Sequence, residues 1–169
     1  MMIVCSAPVR LAVVALFMIV ALARVAGAGP LEDARMAHQR EDYATEFRLL
    51  RPLAEQGNAE AQEALGSMYT GGRGVPQNYV EAVKWFRSAA EQGFADAQDS
   101  LARMYVQGQG VPKNYVQAHM WFNLAASRGL NYSAGARDNL AEEMTSAQIA
   151  EAQRLAREWR PGEFQAKPQ

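Results

Sequence analysis

Apolar residues recur at helical spacing through most of the chain, in short stripes closed by glycine. Between Ala59 and Tyr69 the stripe is Ala61, Leu65, Met68 and Tyr69. Steps of three and four place these on one helix face. A second stripe, Tyr79, Ala82, Val83, Phe86, Ala89 and Ala90, follows after a break. Asn58 and Asn78 precede the two stripes, where a side-chain oxygen can accept from an orphan backbone N–H. Asn78 with Glu81, and Asn114 with Gln117, have capping-box spacing. Gly71-Gly72 and Gly93 end helices, since glycine readily takes the left-handed conformation of a helix C-terminus. Between the stripes, Pro76 in Arg73-Gly74-Val75-Pro76-Gln77 cannot continue a helix interior. The predicted elements are all helices.

The pair of helices is then written again. Residues 57–92 and 93–128 agree at 19 of 36 positions without a gap. A fixed period of about 20–50 residues marks a stacked repeat protein, whose units bury their apolar faces only against copies of themselves. The period extends back over 29–56. Tyr43 lies 36 before Tyr79, and Leu53-Ala54-Glu55-Gln56-Gly57 overlies Ala89-Ala90-Glu91-Gln92-Gly93. This predicts a partial repeat with helices over Leu31 to about Arg40 and over 43–56. Asp42 is the cap of the second, Pro52 should kink or loosen it, and the joining loop lacks Gly-Val-Pro.

Past Gly129 three residues are added near 132–135 and Gly-Val-Pro disappears. Thr145 with Gln148 opens a last helix carrying Ile149, Ala152, Leu155, Ala156 and Trp159, which stops before Pro161. Residues 129–160 therefore read as the closing cap and 161–169 as a flexible tail. Between copies Lys84 becomes Met120 and Ser88 becomes Leu124, so Met120 and Leu124 are expected to pack on the terminal helix. Large residues (Tyr69, Trp85, Phe86) set against small ones (Ala61, Ala82, Ala89, Ala90) suit a close-packed stack.

Residues 1–28 have a different character. Leu11 to Ala23 is apolar, Arg10 precedes it, and Ala26-Gly27-Ala28 offers small residues at cleavage spacing. This reads as a secretory signal peptide cut after Ala28; an uncleaved anchor is the alternative. The apolar run is short for a bilayer span of about 20 residues. Cys5, the sole cysteine, lies in this leader, which excludes disulfide staples from the rest. Arg10 and Arg24 are its only charges, so residues 29–169 carry 15 basic against 18 acidic side chains. That balance gives no basic footprint for nucleic acid.

The repeated residues now resemble a known pattern. Ala61-Gln62, Leu65, Met68-Tyr69, Gly72-x-Gly74-Val75, Ala82, Trp85 and Ala89-Ala90-x-Gln92-Gly93 are similar to the Sel-one-like repeat, a 36-residue helical hairpin related to the tetratricopeptide repeat. The segment around Met144-Thr145 and Gln148-Ile149 resembles the closing helices of exported bacterial members. The resemblance implies an α-α superhelix, a right-handed solenoid, acting as an adaptor for protein partners in the periplasm or beyond. It also implies an alternative, since a cysteine-rich branch has been linked to β-lactamase-like hydrolysis; a mature chain without cysteine departs from that branch.

No constellation of reactive residues stands out. His38 and His119 fall on helices of different units with no second ligand at metal spacing. Gly72-Arg73-Gly74 lacks the strand and the Lys-Ser/Thr of a phosphate loop, and Glu142-Glu143 reads as a solvated face. Gln62 and Gln98 share one repeat position and read as buried amides bonding the neighbouring turn. No catalytic residue, metal or cofactor is assigned. The binding face is read by subtraction. Divergent, exposed positions of the first helices, which line the concave side in related folds, select Glu60, Glu63, Ser67, Asp96, Asp99 and Arg103. Such a face suits basic or mixed-charge partners.

Overall fold

The computed structural model describes residues 29–162. The proposed leader and most of the proposed tail lie outside the described residues. Within them the chain forms eight α-helices: α1 (Pro30–Gln39), α2 (Tyr43–Glu55), α3 (Ala59–Gly71), α4 (Tyr79–Glu91), α5 (Ala95–Gln107), α6 (Tyr115–Ser127), α7 (Asn131–Ala141) and α8 (Ser146–Glu158). Each helix from α1 to α6 packs on the next, and α6 also packs on α8. The two 36-residue copies are the hairpins α3–α4 and α5–α6, joined along α4 and α5.

The helix starts follow the sequence. Asn58 Oδ1 accepts from the Ala61 N–H at 2.8 Å, Asn114 Oδ1 from the Gln117 N–H at 3.1 Å, and Asp42 Oδ1 from the Thr45 N–H at 3.1 Å. The reciprocal capping box closes at Thr145–Gln148, where the Thr145 N–H reaches Gln148 Oε1 at 2.9 Å. At Asn78 and at Asn114 the expected boxes do not close. Asn78 caps alone and the Glu81 carboxylate accepts from Lys84 Nζ instead. Helix α2 runs through Pro52 to Glu55 without interruption. Arg48, whose carbonyl loses its partner to the proline ring, is exposed, so water can satisfy it.

The glycine loops do more than end helices. Gly72 and Gly108 are the left-handed caps. Two residues later, Gly74 and Gly110 also have positive φ, and each lies against the preceding unit. A Cβ on Gly74 would collide with the Tyr43 carbonyl, and one on Gly110 with the Tyr79 carbonyl. The Gly-x-Gly-Val-Pro loop is therefore a clasp between repeats. The first described unit joins its two helices through residues 40–42 and has no such loop.

Helix α6 is the most enclosed, with Ala118 to Phe122, Leu124 and Ala125 buried. Met120 and Leu124 join the same core cluster as Leu155, Ala156 and Trp159 of the terminal segment, as their apolar replacement of Lys84 and Ser88 implies. Trp159 sits edge-on to Trp121 at 6.2 Å and beneath the Arg128 guanidinium at 4.9 Å. The last described residue is tied back by a Gly162 N–H···O Glu91 bond of 3.0 Å.

Candidate partner-binding face

The first helices of the units share one side of the stack. Arg35 on α1 bonds Glu60 on α3 through Nε at 3.2 Å, and Glu63 on α3 is near enough to Asp96 on α5 to feel its charge. Glu63 also accepts from Ser67 Oγ at 2.9 Å. Its carboxyl is held above the usual range, chiefly by burial, with repulsion from Asp96 and Glu60 adding to the effect. Glu60, Glu63, Ser67 and Asp96 thus share one partly exposed surface.

Asp99 departs from the expectation of an exposed position. It is 5% exposed. Ser133 Oγ donates to it at 2.6 Å and Arg103 Nε at 2.7 Å. Helix α7, which contains the three-residue insertion, lies over this end of the face, and Tyr132 Oη donates to Asp96 at 3.0 Å. Asp99 is an internal tie between α5 and α7. Arg103, the edge residue, is exposed but spans from Asp99 to the Phe122 ring, 5.8 Å from its guanidinium. The two buried amides stand where the sequence put them. Gln62 Nε2 donates to Ala54 O at 3.0 Å and Gln98 Nε2 to Ala90 O at 3.1 Å, each stitching a unit to the last turn of the one before.

Two pockets open at the seams. One, of about 270 Å³, lies between α1, α2 and α3, with Leu31, Ala34, Leu50 and Ala64 as apolar lining and Arg35, His38, Glu46 and Glu60 as polar groups. Glu46 is only 6% exposed, and both its oxygens lie 3.0–3.1 Å from His38 Nδ1. The other pocket, of about 230 Å³, lies between α5, α6 and α7 beside Arg103, Phe122 and Glu143. Sequence reasoning missed Glu46, although its signal was present in the 36-residue register. Position 46 holds glutamate where the full repeats hold the buried alanines Ala82 and Ala118.

The two histidines stay apart. His119 is 3% exposed, its Nδ1 has no hydrogen-bond partner, and burial pushes it below the ordinary histidine range. Among the described residues no group of three His, Cys, Asp or Glu could hold a metal ion, and no helix is long and apolar enough to cross a membrane. Glu142 and Glu143 are both exposed, and Glu143 accepts from Tyr115 Oη at 2.8 Å.

A stack of clasped 36-residue hairpins with a divergent first-helix face defines a class, the helical-repeat scaffolds. The sequence model of the Sel1 repeat matches residues 59–94 and 95–130, so the chain carries two Sel1 repeats in tandem. The fold is similar to the crystal structure of c5321 from Escherichia coli, described as a protective antigen present in uropathogenic strains and displaying an SLR fold. That match has a TM-score of 0.74 and 28% identity over 83% of this chain and 32% of that one. It is also similar to a Sel1 repeat protein from Oxalobacter formigenes, with a TM-score of 0.65 and 28% identity over 80% of this chain and 56% of that one. The chain therefore spans about a third of the first and just over half of the second. No curated protein matches the sequence. The Sel1 repeat fold is generally a protein–protein interaction scaffold and typically non-catalytic. Neither relative lends support to the hydrolase alternative.

Proposed function

We propose that the chain is an exported scaffold that holds a protein or peptide partner against its row of first helices. Glu60, Glu63, Ser67 and Asp96 are its contact residues, Arg103 its edge, and Asp99 the buried support beneath. One observation carries this reading. Glu63 on α3, half-buried, and Asp96 on α5, exposed, are carboxylates from successive repeats that lie close enough for like-charge repulsion. A basic or mixed-charge partner relieves that repulsion and is steered by it. The export part rests on the leader-like sequence of residues 1–28, and mass spectrometry of the chain recovered from its host should find Gly29 as the first residue.

The binding part is tested with a photo-crosslinking residue at Ser67, followed by identification of what it traps. The double variant Glu60→Lys/Asp96→Lys should abolish the trapped product; it also breaks the Arg35–Glu60 ion pair and the Tyr132–Asp96 hydrogen bond, so stability should fall by about 1–2 kcal/mol while circular dichroism shows the chain still folded. An undiminished product in that variant would move the binding site to another face.

A further inference from the structure

The α1–α3 pocket contains a feature the stack does not require. Position 46 in the 36-residue register is a core alanine in both full repeats, Ala82 and Ala118, each 0% exposed. In the first unit the same position is a glutamate at 6% exposure that lines the pocket. A carboxylate in a core position is expensive unless it is compensated. Its bonding partner is a single ring nitrogen, His38 Nδ1, whereas a carboxylate offers about four lone-pair sites. Glu60 shares the rim, and the nearby Arg35 is divided between Glu60 and Glu32. Two carboxylates, Glu46 and Glu60, thus line the pocket with one guanidinium, Arg35, and the His38 ring. The remaining lining is Gln39 and four aliphatic residues, Leu31, Ala34, Leu50 and Ala64. At about 270 Å³ the space falls just short of the roughly 300–1,000 Å³ of sites that enclose a drug-sized ligand. It suits one long side chain.

We propose that this pocket receives a lysine side chain from a basic peptide partner, its aliphatic stem against Leu31, Ala34, Leu50 and Ala64 and its ammonium between Glu46 and Glu60. The geometry suits an amphipathic side chain, whose stem buries while its charged head finds anions. The proposal rests on the scaffold reading above and adds to it the residue type that anchors the partner.

The test uses isotope-labelled full chain and two small probes followed by amide chemical shifts: Nα-acetyl-lysine amide, and Nα-acetyl-norleucine amide, which keeps the stem and lacks the ammonium. The lysine probe should give saturable shifts centred on Leu31, Ala34, Glu46 and Ala64. The norleucine probe should bind about tenfold more weakly or worse, the worth of one charge-assisted hydrogen bond. Glu46→Ala restores the residue that the repeats themselves use, so it should fold at least as well while losing the preference for lysine. Glu46→Gln should lose it as well, with the pocket shape kept. Equal binding of the two probes would overturn the proposal, as would stronger binding of Nα-acetyl-glutamate amide, or an absence of saturable shifts at the solubility limit. Crosslinking at Ser67 separates the two claims. A captured partner with no lysine preference defeats the pocket and leaves the scaffold standing. Lysine binding without a captured partner defeats the scaffold alone.

Discussion

Replacing Gly110 by alanine isolates the energy of the clasp between repeats. Two effects are superposed at this position. Its φ of 70° is left-handed, a conformation that costs an L-residue about 1–2 kcal/mol. A Cβ would also meet the carbonyl of Tyr79 and, at 2.8 Å, the backbone nitrogen of Val80. Those are backbone atoms at the start of α4, so neither can swing aside, and relief requires the loop to lift off the preceding repeat. Overpacking of this kind costs about 1–3 kcal/mol. The reduced freedom of the unfolded chain returns about 0.4–1 kcal/mol. The net is a loss of about 1–5 kcal/mol, centred near 3. Gly129 is the matched control. Its φ is 97°, but nothing lies within 4 Å of an added Cβ, so Gly129→Ala should lose only about 1 kcal/mol. Urea denaturation followed by far-UV circular dichroism measures both. Hydrogen exchange on α3–α4 against α5–α6 checks whether the hairpins separate, because stacks need not unfold in one step. Equal losses for the two variants would show that the loop is merely a helix stop, and the clasp would have to be abandoned.

Three further outcomes follow from the same geometry. Asp99→Ala strands Ser133 and Arg103 and should lose about 1–3 kcal/mol, with amides of 131–141 exchanging faster; unchanged protection there would remove Asp99 as the tie to α7. Ala90→Leu should lose about 1–3 kcal/mol by overpacking, whereas Ala126→Leu should lose little because Ala126 is half-buried; comparable melts for both would mean the α4–α5 seam is loose. The folded chain holds His119 below the ordinary histidine value, mainly by burial, with Arg137 adding repulsion and Asp138 opposing it. The unfolded chain therefore binds this proton first as pH falls, so the stability contribution is complete above pH of about 6.5 and is lost as pH falls from there towards the folded value. His119→Val, which installs the residue of position 83, should flatten that part of the profile, and melts at several pH values giving the parent's slope would refute it.

Periodicity made the fold legible because a repeat states each packing decision twice. Leu65 with Leu101, Ala82 with Ala118 and Ala89 with Ala125 are all essentially buried, and their identity in the two copies was enough to find them. Gln62 and Gln98 were legible for the same reason, since a buried amide needs its partner in every copy. The face was harder to read. Subtraction of one copy from the other marks positions that differ without stating why they differ. Glu63 and Asp99 occupy one register position, yet Glu63 borders solvent while Asp99 lies beneath α7. That cover comes from an inserted, non-repeating segment with no counterpart to compare. The clasp was half legible: two glycines per loop showed a backbone need, but contact with the preceding tyrosine is tertiary and leaves no local mark.

The departures from the repeat pattern gather at the ends of the stack. Glutamate replaces the core alanine at position 46, histidine replaces valine at position 119, and Ser133 reaches Asp99 from the inserted helix. A middle unit is constrained on both sides, so a polar group in its core would have to be satisfied by two neighbours built to the same pattern. An end unit packs on only one. The first described hairpin leaves a pocket beside Glu46 where α1 and α2 meet α3. The last, covered by two helices that pack on α6 separately, can enclose His119 without a partner for Nδ1. Polar substitutions of core positions therefore sit beside the partial repeat and beside the closing helices, whereas the partner face is carried by the full repeats. Exchanging α3–α4 for a copy of α5–α6 should leave lysine binding at the first pocket intact, provided Glu60 and Ala64 are retained, whereas Glu46→Ala alone should remove it.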